Sequence, residues 1–129
     1  MVLGRCYNDV CEVNELEPFD LSQEVVEIAT DRLAENIVLL DLQEQAILTD
    51  YFVLMTCNSA RHTEALAYDL EMLLDQKDCK LLHTEGVPIS GWVVLDYGAV
   101  VIHLFQEEQR DYYNLENIWS RASQVVRIL

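Results

Sequence analysis

Gly91-Trp92-Val93-Val94-Leu95-Asp96-Tyr97-Gly98-Ala99-Val100-Val101-Ile102-His103-Leu104-Phe105 reads as two β-rich runs folded back on each other at Tyr97-Gly98. Aromatic and β-branched side chains suit a pleated, half-buried surface, and glycine permits the tight reversal. Alternate strand residues share a face, so Trp92, Val94 and Asp96 point one way while Val93, Leu95 and Tyr97 point the other. Neither set is wholly polar, and both faces of the hairpin are therefore committed to contacts. One is the protein's own core; the second takes a covering helix or an outside partner.

Upstream of the hairpin, Asp20 is placed to cap a helix, with Gln23 three residues later as in a capping box, and Leu21, Val25, Ile28, Ala29 and Leu33 recur at helical spacing. Residues 37–42 and 51–57 are near-continuous apolar runs, the pattern of strands covered on both faces. Asn58-Ser59 opens a second helix whose Leu66, Leu70, Leu73 and Leu74 form one stripe ending at about Lys77. Residues 80–84 read as a strand and 85–91 as a loop leading to the hairpin. A short helix capped by Asn114 carries Leu115, Ile118 and Trp119. Tyr112 and Tyr113, beside that helix, are assigned to core packing ahead of an interface role. The resulting order, α-β-β-α-β-β-β-α, predicts an α/β (α+β) fold with a mixed sheet of about five strands flanked by helices. Residues 1–19 lack a clear period and are read as a flexible or lightly docked extension, with residues 20–129 as a single domain.

The chain has 129 residues, 51% of them hydrophobic, enough for one domain with one core. Its 23 acidic and 8 basic residues give a formal charge of −15. That field repels phosphate backbones and speaks against direct sequence-specific nucleic-acid binding; a basic protein surface is the natural complement. No apolar run reaches the ~18 residues expected of a membrane helix, so a soluble protein retained in a cytoplasmic or organellar interior is expected. Cys6, Cys11, Cys57 and Cys79 make no disulfide framework and are read as thiols, with Cys6-x4-Cys11 a weak pairing or metal motif.

Catalytic chemistry finds few footholds. Cys57 precedes a helix N-terminus with His62 nearby, yet a cysteine ending an apolar strand is ordinarily a small core residue. His62, His83 and His103 have no zinc spacing, and neither a metal nor a cofactor is expected. His103 is read as a packed imidazole or as a partner contact. Trp92, Asp96 and Tyr97 form the favoured contact patch, because Trp and Tyr concentrate binding energy at interfaces and a carboxylate beside them can pair with Arg or Lys. The bland alternative has Trp92 filling a core gap and Asp96 closing the hairpin turn.

The hairpin and its sequel resemble the Iojap-like, or ribosomal silencing factor (RsfS), family, whose pattern is close to W-V-x-x-D-Y-G-D-V-V-V-H-x-F followed by E-E-x-R-x-Y-Y-x-L-E-x-x-W. The matching residues are Trp92-Val93, Asp96-Tyr97-Gly98, Val100-Val101-Ile102-His103, Phe105, Glu107-Glu108, Arg110, Tyr112-Tyr113, Leu115-Glu116 and Trp119. Thr49-Asp50-Tyr51-Phe52 and Asn58-Ser59-x-Arg61-His62 fit the family's T-D-Y-F and N-S-x-R-H elements, so the resemblance runs over roughly residues 20–120. Ala99 replaces the usual Asp after Asp-Tyr-Gly, and Cys57 replaces a glycine often found before Asn-Ser.

The resemblance implies a nucleotidyltransferase-like fold without that enzyme's metal-binding carboxylates. Asp41 is followed two positions later by Gln43, and Asp96 by Gly98, so neither strand has acids at i and i+2. It implies a non-enzyme that binds the large ribosomal subunit through ribosomal protein L-fourteen and sterically blocks joining of the small subunit. Large-subunit assembly is an alternative role, and a nucleotidyltransferase-type enzyme a more distant one. The expected partner surface is Trp92, Asp96 and Tyr97 with support from Glu85, Leu95 and His103. A homodimer through the hairpin aromatics is compatible with it.

Overall fold

The computed structural model describes residues 5–7, 10–12, 16–42, 49–118 and 123–128. Two short strands, β1 (Arg5–Tyr7) and β2 (Val10–Glu12), pair antiparallel with Cys6 opposite Cys11. Helix α1 (Pro18–Asp31) and strands β3 (Glu35–Asp41) and β4 (Tyr51–Cys57) precede helix α2 (Ala60–Asp75). Strand β5 (His83–Glu85), a single 3-10 turn at Pro88–Ser90, and strands β6 (Trp92–Asp96) and β7 (Val100–Gln106) follow. Helices α3 (Glu107–Tyr113) and α4 (Leu115–Ile118) and strand β8 (Ser123–Ile128) complete the chain.

The main sheet is six-stranded and mixed, in the order β5-β6-β7-β4-β3-β8; β4 and β7 are parallel and the other neighbours antiparallel. A parallel pair needs a long crossover, here the stretch carrying α2 and β5–β6. The apolar stripe of α2 (Leu66, Leu70, Leu74) and that of α1 (Leu21, Val25, Ile28, Ala29) cover one sheet face, over Ile37, Leu39, Val53, Met55, Val93, Leu95, Ile102 and Leu104. The opposite face holds a smaller cluster, Val38, Leu40, Leu42, Leu54 and Phe105, with half-buried Phe52, Trp92 and Leu115 against it. Helix α3 packs on β7 and β4 on this second side.

Several boundaries differ from the sequence expectation. Helix α1 starts with Pro18 in its first turn and Glu17 as a flanking residue without a side-chain cap; Asp20 lies inside the first turn, where proline's fixed φ and a carboxylate near the positive dipole end both suit a helix start. The strand expected at 80–84 sits at 83–85: the left-handed Asp78 (φ 62°) and the bond from Cys79 N–H to Leu74 O close α2, and Leu82 N–H donates to Asp96 O just ahead of β5. Glu85 thereby moves from a loop into a strand. Ser59 does cap α2, accepting from His62 N–H at 3.0 Å. Helix α3 and edge strand β8 were not anticipated, which raises the strand count from about five to six. Asn114 is left-handed (φ 46°) and terminates α3 before α4 begins. Trp119 lies outside the described residues.

Candidate docking face

Register decides which hairpin residues meet. Trp92 stands opposite Phe105, Val94 opposite His103 and Asp96 opposite Val101, while across β7 the parallel neighbour β4 sets Phe52 beside Val101 and Leu54 beside His103. On the edge, Glu85 pairs with Val94 and His83 with Asp96. Trp92, Asp96, Glu85 and His103 therefore share the second sheet face. Leu95 and Tyr97 do not: they are 2% and 4% exposed among the α1- and α2-facing core residues. Their expected place in the contact patch is corrected by the period of two that separates successive strand residues. Burial lifts the Tyr97 phenol above its ordinary pKa, with Glu71 adding to the effect.

Trp92 is held by three rings. Its ring stacks on Phe105 at a centroid distance of 5.0 Å, lies 6.0 Å from His103 and is met by Tyr113 at 4.6 Å. Its indole N–H donates to His103 Nδ1 at 3.2 Å. With Nδ1 accepting, the proton of neutral His103 resides on Nε2. That atom is buried with no partner among the described residues. Burial pushes the His103 pKa down to about 4, so the imidazole is a neutral acceptor propping the indole at physiological pH. The imidazole is thus packed, as one of the two readings of His103 expects, and the indole above it is half-buried.

The backbone entering β6 is equally fixed. Gly86 adopts φ +82°, and a Cβ there would overlap the Trp92 carbonyl oxygen. Ser90 Oγ donates to Val87 O at 2.6 Å, and Gln106 Nε2 donates to Pro88 O at 3.3 Å. Beyond the strand, Asp96 Oδ1 accepts the Gly98 N–H at 2.7 Å and closes the hairpin turn. Asp96 remains only half-buried, and His83 and Glu85, exposed on the edge, are bonded to each other at 2.8 Å.

His62 accepts the Asn58 N–H at Nδ1 (3.1 Å) and contacts Arg32 O through Nε2 (2.7 Å), fastening α2 to the end of α1. Both ring nitrogens are engaged, and the Cys57 thiol is buried with its pKa raised by desolvation, opposed by a hydrogen bond with Thr63. This arrangement gives neither a reactive thiolate nor a free base. Among the described residues no three His, Cys, Asp or Glu converge to hold a metal ion, and no helix is long and apolar enough to cross a membrane.

Residues 15–128 match the family described as "Ribosomal silencing factor during starvation". The chain belongs to the ribosomal silencing factor family. Similar members include the ribosomal silencing factor RsfS of Halalkalibacterium halodurans, 32% identical over 82% of this chain and 91% of that protein. Mouse "Mitochondrial assembly of ribosomal large subunit protein 1" is 30% identical over 81% of this chain and 47% of its own length. A crystal structure of a Chromobacterium violaceum protein superposes with a TM-score of 0.77 at 29% identity, covering 86% of this chain and 94% of that one. The RsfS-family fold is accordingly the mixed sheet with flanking helices described above.

Against the family pattern, the E-E-x-R-x-Y-Y stretch proves to be helix α3. Tyr112 is 81% exposed and Tyr113 44%, so the expected core role of this pair is corrected. They follow the buried Arg110 by two and three positions, and of these two spacings only i+3 returns to the same helix face. Tyr113 therefore turns inward onto Trp92 while Tyr112 projects outward. Phe52, 4.6 Å from the His103 ring, and Tyr113 join the face without having been expected there. Helical phase counted from Arg110 is the signal that identifies Tyr113.

Proposed function

We propose that this chain represses translation by docking the second sheet face on the large ribosomal subunit, through ribosomal protein L-fourteen, and so excluding the small subunit. The supporting observation is the Trp92 cluster. An indole braced by His103, Phe105 and Tyr113 lies on one face with the half-buried Asp96 and the exposed Glu85. A braced aromatic beside carboxylates loses little side-chain freedom on binding and presents charge to Arg or Lys across the interface. The −15 formal charge favours a basic protein over the surrounding RNA as the surface touched. Steric exclusion requires no reacting group, in keeping with the engaged His62 and the buried Cys57.

The relative named for mitochondrial large-subunit assembly supports a second reading, in which the same docked face acts during subunit maturation. Both readings begin with large-subunit binding and separate afterwards. The test is co-sedimentation with isolated large subunits in a sucrose gradient, followed by addition of small subunits. Binding that prevents joining supports silencing; binding that leaves joining intact favours assembly. Trp92→Ala should lower affinity at least tenfold. Asp96→Asn keeps an oxygen for the Gly98 N–H and removes the charge, so it should weaken binding with the hairpin intact. Unchanged binding by the double variant would remove this face from the interaction.

A further inference from the structure

We infer that Arg110 is the positioning residue of the docking face: it touches no partner, but it holds Tyr113 against Trp92. The inference rests on the function proposed above and adds a residue outside the expected contact set. Helix α3 is seven residues long, too short to be stable by its own hydrogen bonds. It is anchored by one buried side chain. Arg110, 5% exposed, donates through Nη1 to Asn36 O and to Thr56 Oγ1 at 2.9 Å, and through Nε to Glu116 Oε1 at 3.1 Å. Glu116 in turn accepts from Arg127 of β8 at 3.3 Å. One guanidinium therefore ties α3 to the start of β3, to the end of β4 and, through Glu116, to α4 and the edge strand.

Energetics favour a geometric role. Removing two charges from water costs about what their attraction returns, so a buried ion pair contributes little net stability relative to apolar residues of the same size. What an apolar residue lacks is direction. The planar fork bonds several acceptors at fixed angles, and Tyr113, three positions on and on the same helix face, is set by that orientation. The Tyr113 ring lies 4.6 Å from Trp92, and Tyr112 stands perpendicular to it at 5.0 Å. Rotation or sliding of α3 would uncover Trp92 and change the surface offered to a partner.

Two variants test this, each checked for a cooperative thermal unfolding transition: Arg110→Lys, which keeps the charge but not the fork, and Arg110→Met with Glu116→Gln, which removes both charges of the pair together. In a Trp119→Phe background Trp92 is the remaining indole of the chain's two tryptophans. Its emission should shift to the red in both variants as Tyr113 leaves, and Tyr113→Ala should produce the same shift. Large-subunit affinity should fall about tenfold for Arg110→Lys and about tenfold for Tyr113→Ala. The Arg110→Lys/Tyr113→Ala double variant should also fall about tenfold, because residues acting through one contact are not additive. An unshifted Trp92 emission, or additive losses near a hundredfold, would overturn the inference. Absence of wild-type binding would instead sink the proposed function, and with it the recognition role of Arg110; the emission comparison would then judge its hold on Tyr113 alone.

Discussion

His103 props Trp92 from beneath while itself staying out of reach of solvent. Its imidazole is buried beneath Trp92 and its pKa falls from the usual 6.5 to about 4 because burial penalises the cation. The unfolded chain takes up a proton as pH drops below about 6.5, whereas the folded chain resists until about 4. Stability linked to this group is therefore intact above pH 6.5, declines as pH falls through that window and reaches its full loss, about 3 kcal/mol, below it. His103→Gln, which retains an acceptor for the indole, should flatten this part of the profile. Comparing urea midpoints of wild type and variant at pH 7 and pH 4.5 isolates it from the many carboxylates common to both. A parallel decline in the two proteins would show that His103 titrates normally.

Strand β6 divides its side chains between two jobs, and substitutions should separate them. Leu95→Ala removes a side chain from the core beneath the helices and should cost about 2–5 kcal/mol, while leaving large-subunit affinity unchanged in protein that remains folded. Trp92→Ala, on the half-covered face, should cost less stability and most of the affinity. Thermal unfolding and co-sedimentation on the same two variants check both halves; an affinity loss in well-folded Leu95→Ala would contradict the division. The alternation of this strand was legible in the sequence, as were β4 and the stripe of α2, because their apolar periods run long enough to repeat. The grouping of Tyr97 and Leu95 with Trp92 failed because adjacent interface-type residues were joined across the strand's two faces. Tyr113 was hidden for a related reason. A seven-residue helix contains only two turns, too few to display a period, and its inward phase depends on Arg110 reaching strand ends 54 and 74 positions away in sequence. β8 was missed because its pairing to β3 spans most of the chain.

The whole molecule carries −15 formal charge, and the sign of its salt response distinguishes the partners it could take. Attraction between this chain and a basic protein surface is screened beyond a Debye length, which shortens from ~30 Å at 0.01 M to ~8 Å at physiological ionic strength. Large-subunit binding should therefore weaken as salt rises, chiefly through a slower association rate, since long-range steering acts on encounter. Two copies of the chain repel each other, so self-association through the same aromatics should strengthen over the same salt range. Measuring association rates with immobilised large subunits from 0.05 to 0.5 M KCl, alongside sedimentation of the free protein, reads both trends at once. Falling rates with salt support docking on a basic surface. Rates indifferent to salt would mean that the charge serves solubility alone and that the Trp92 face binds through apolar contact.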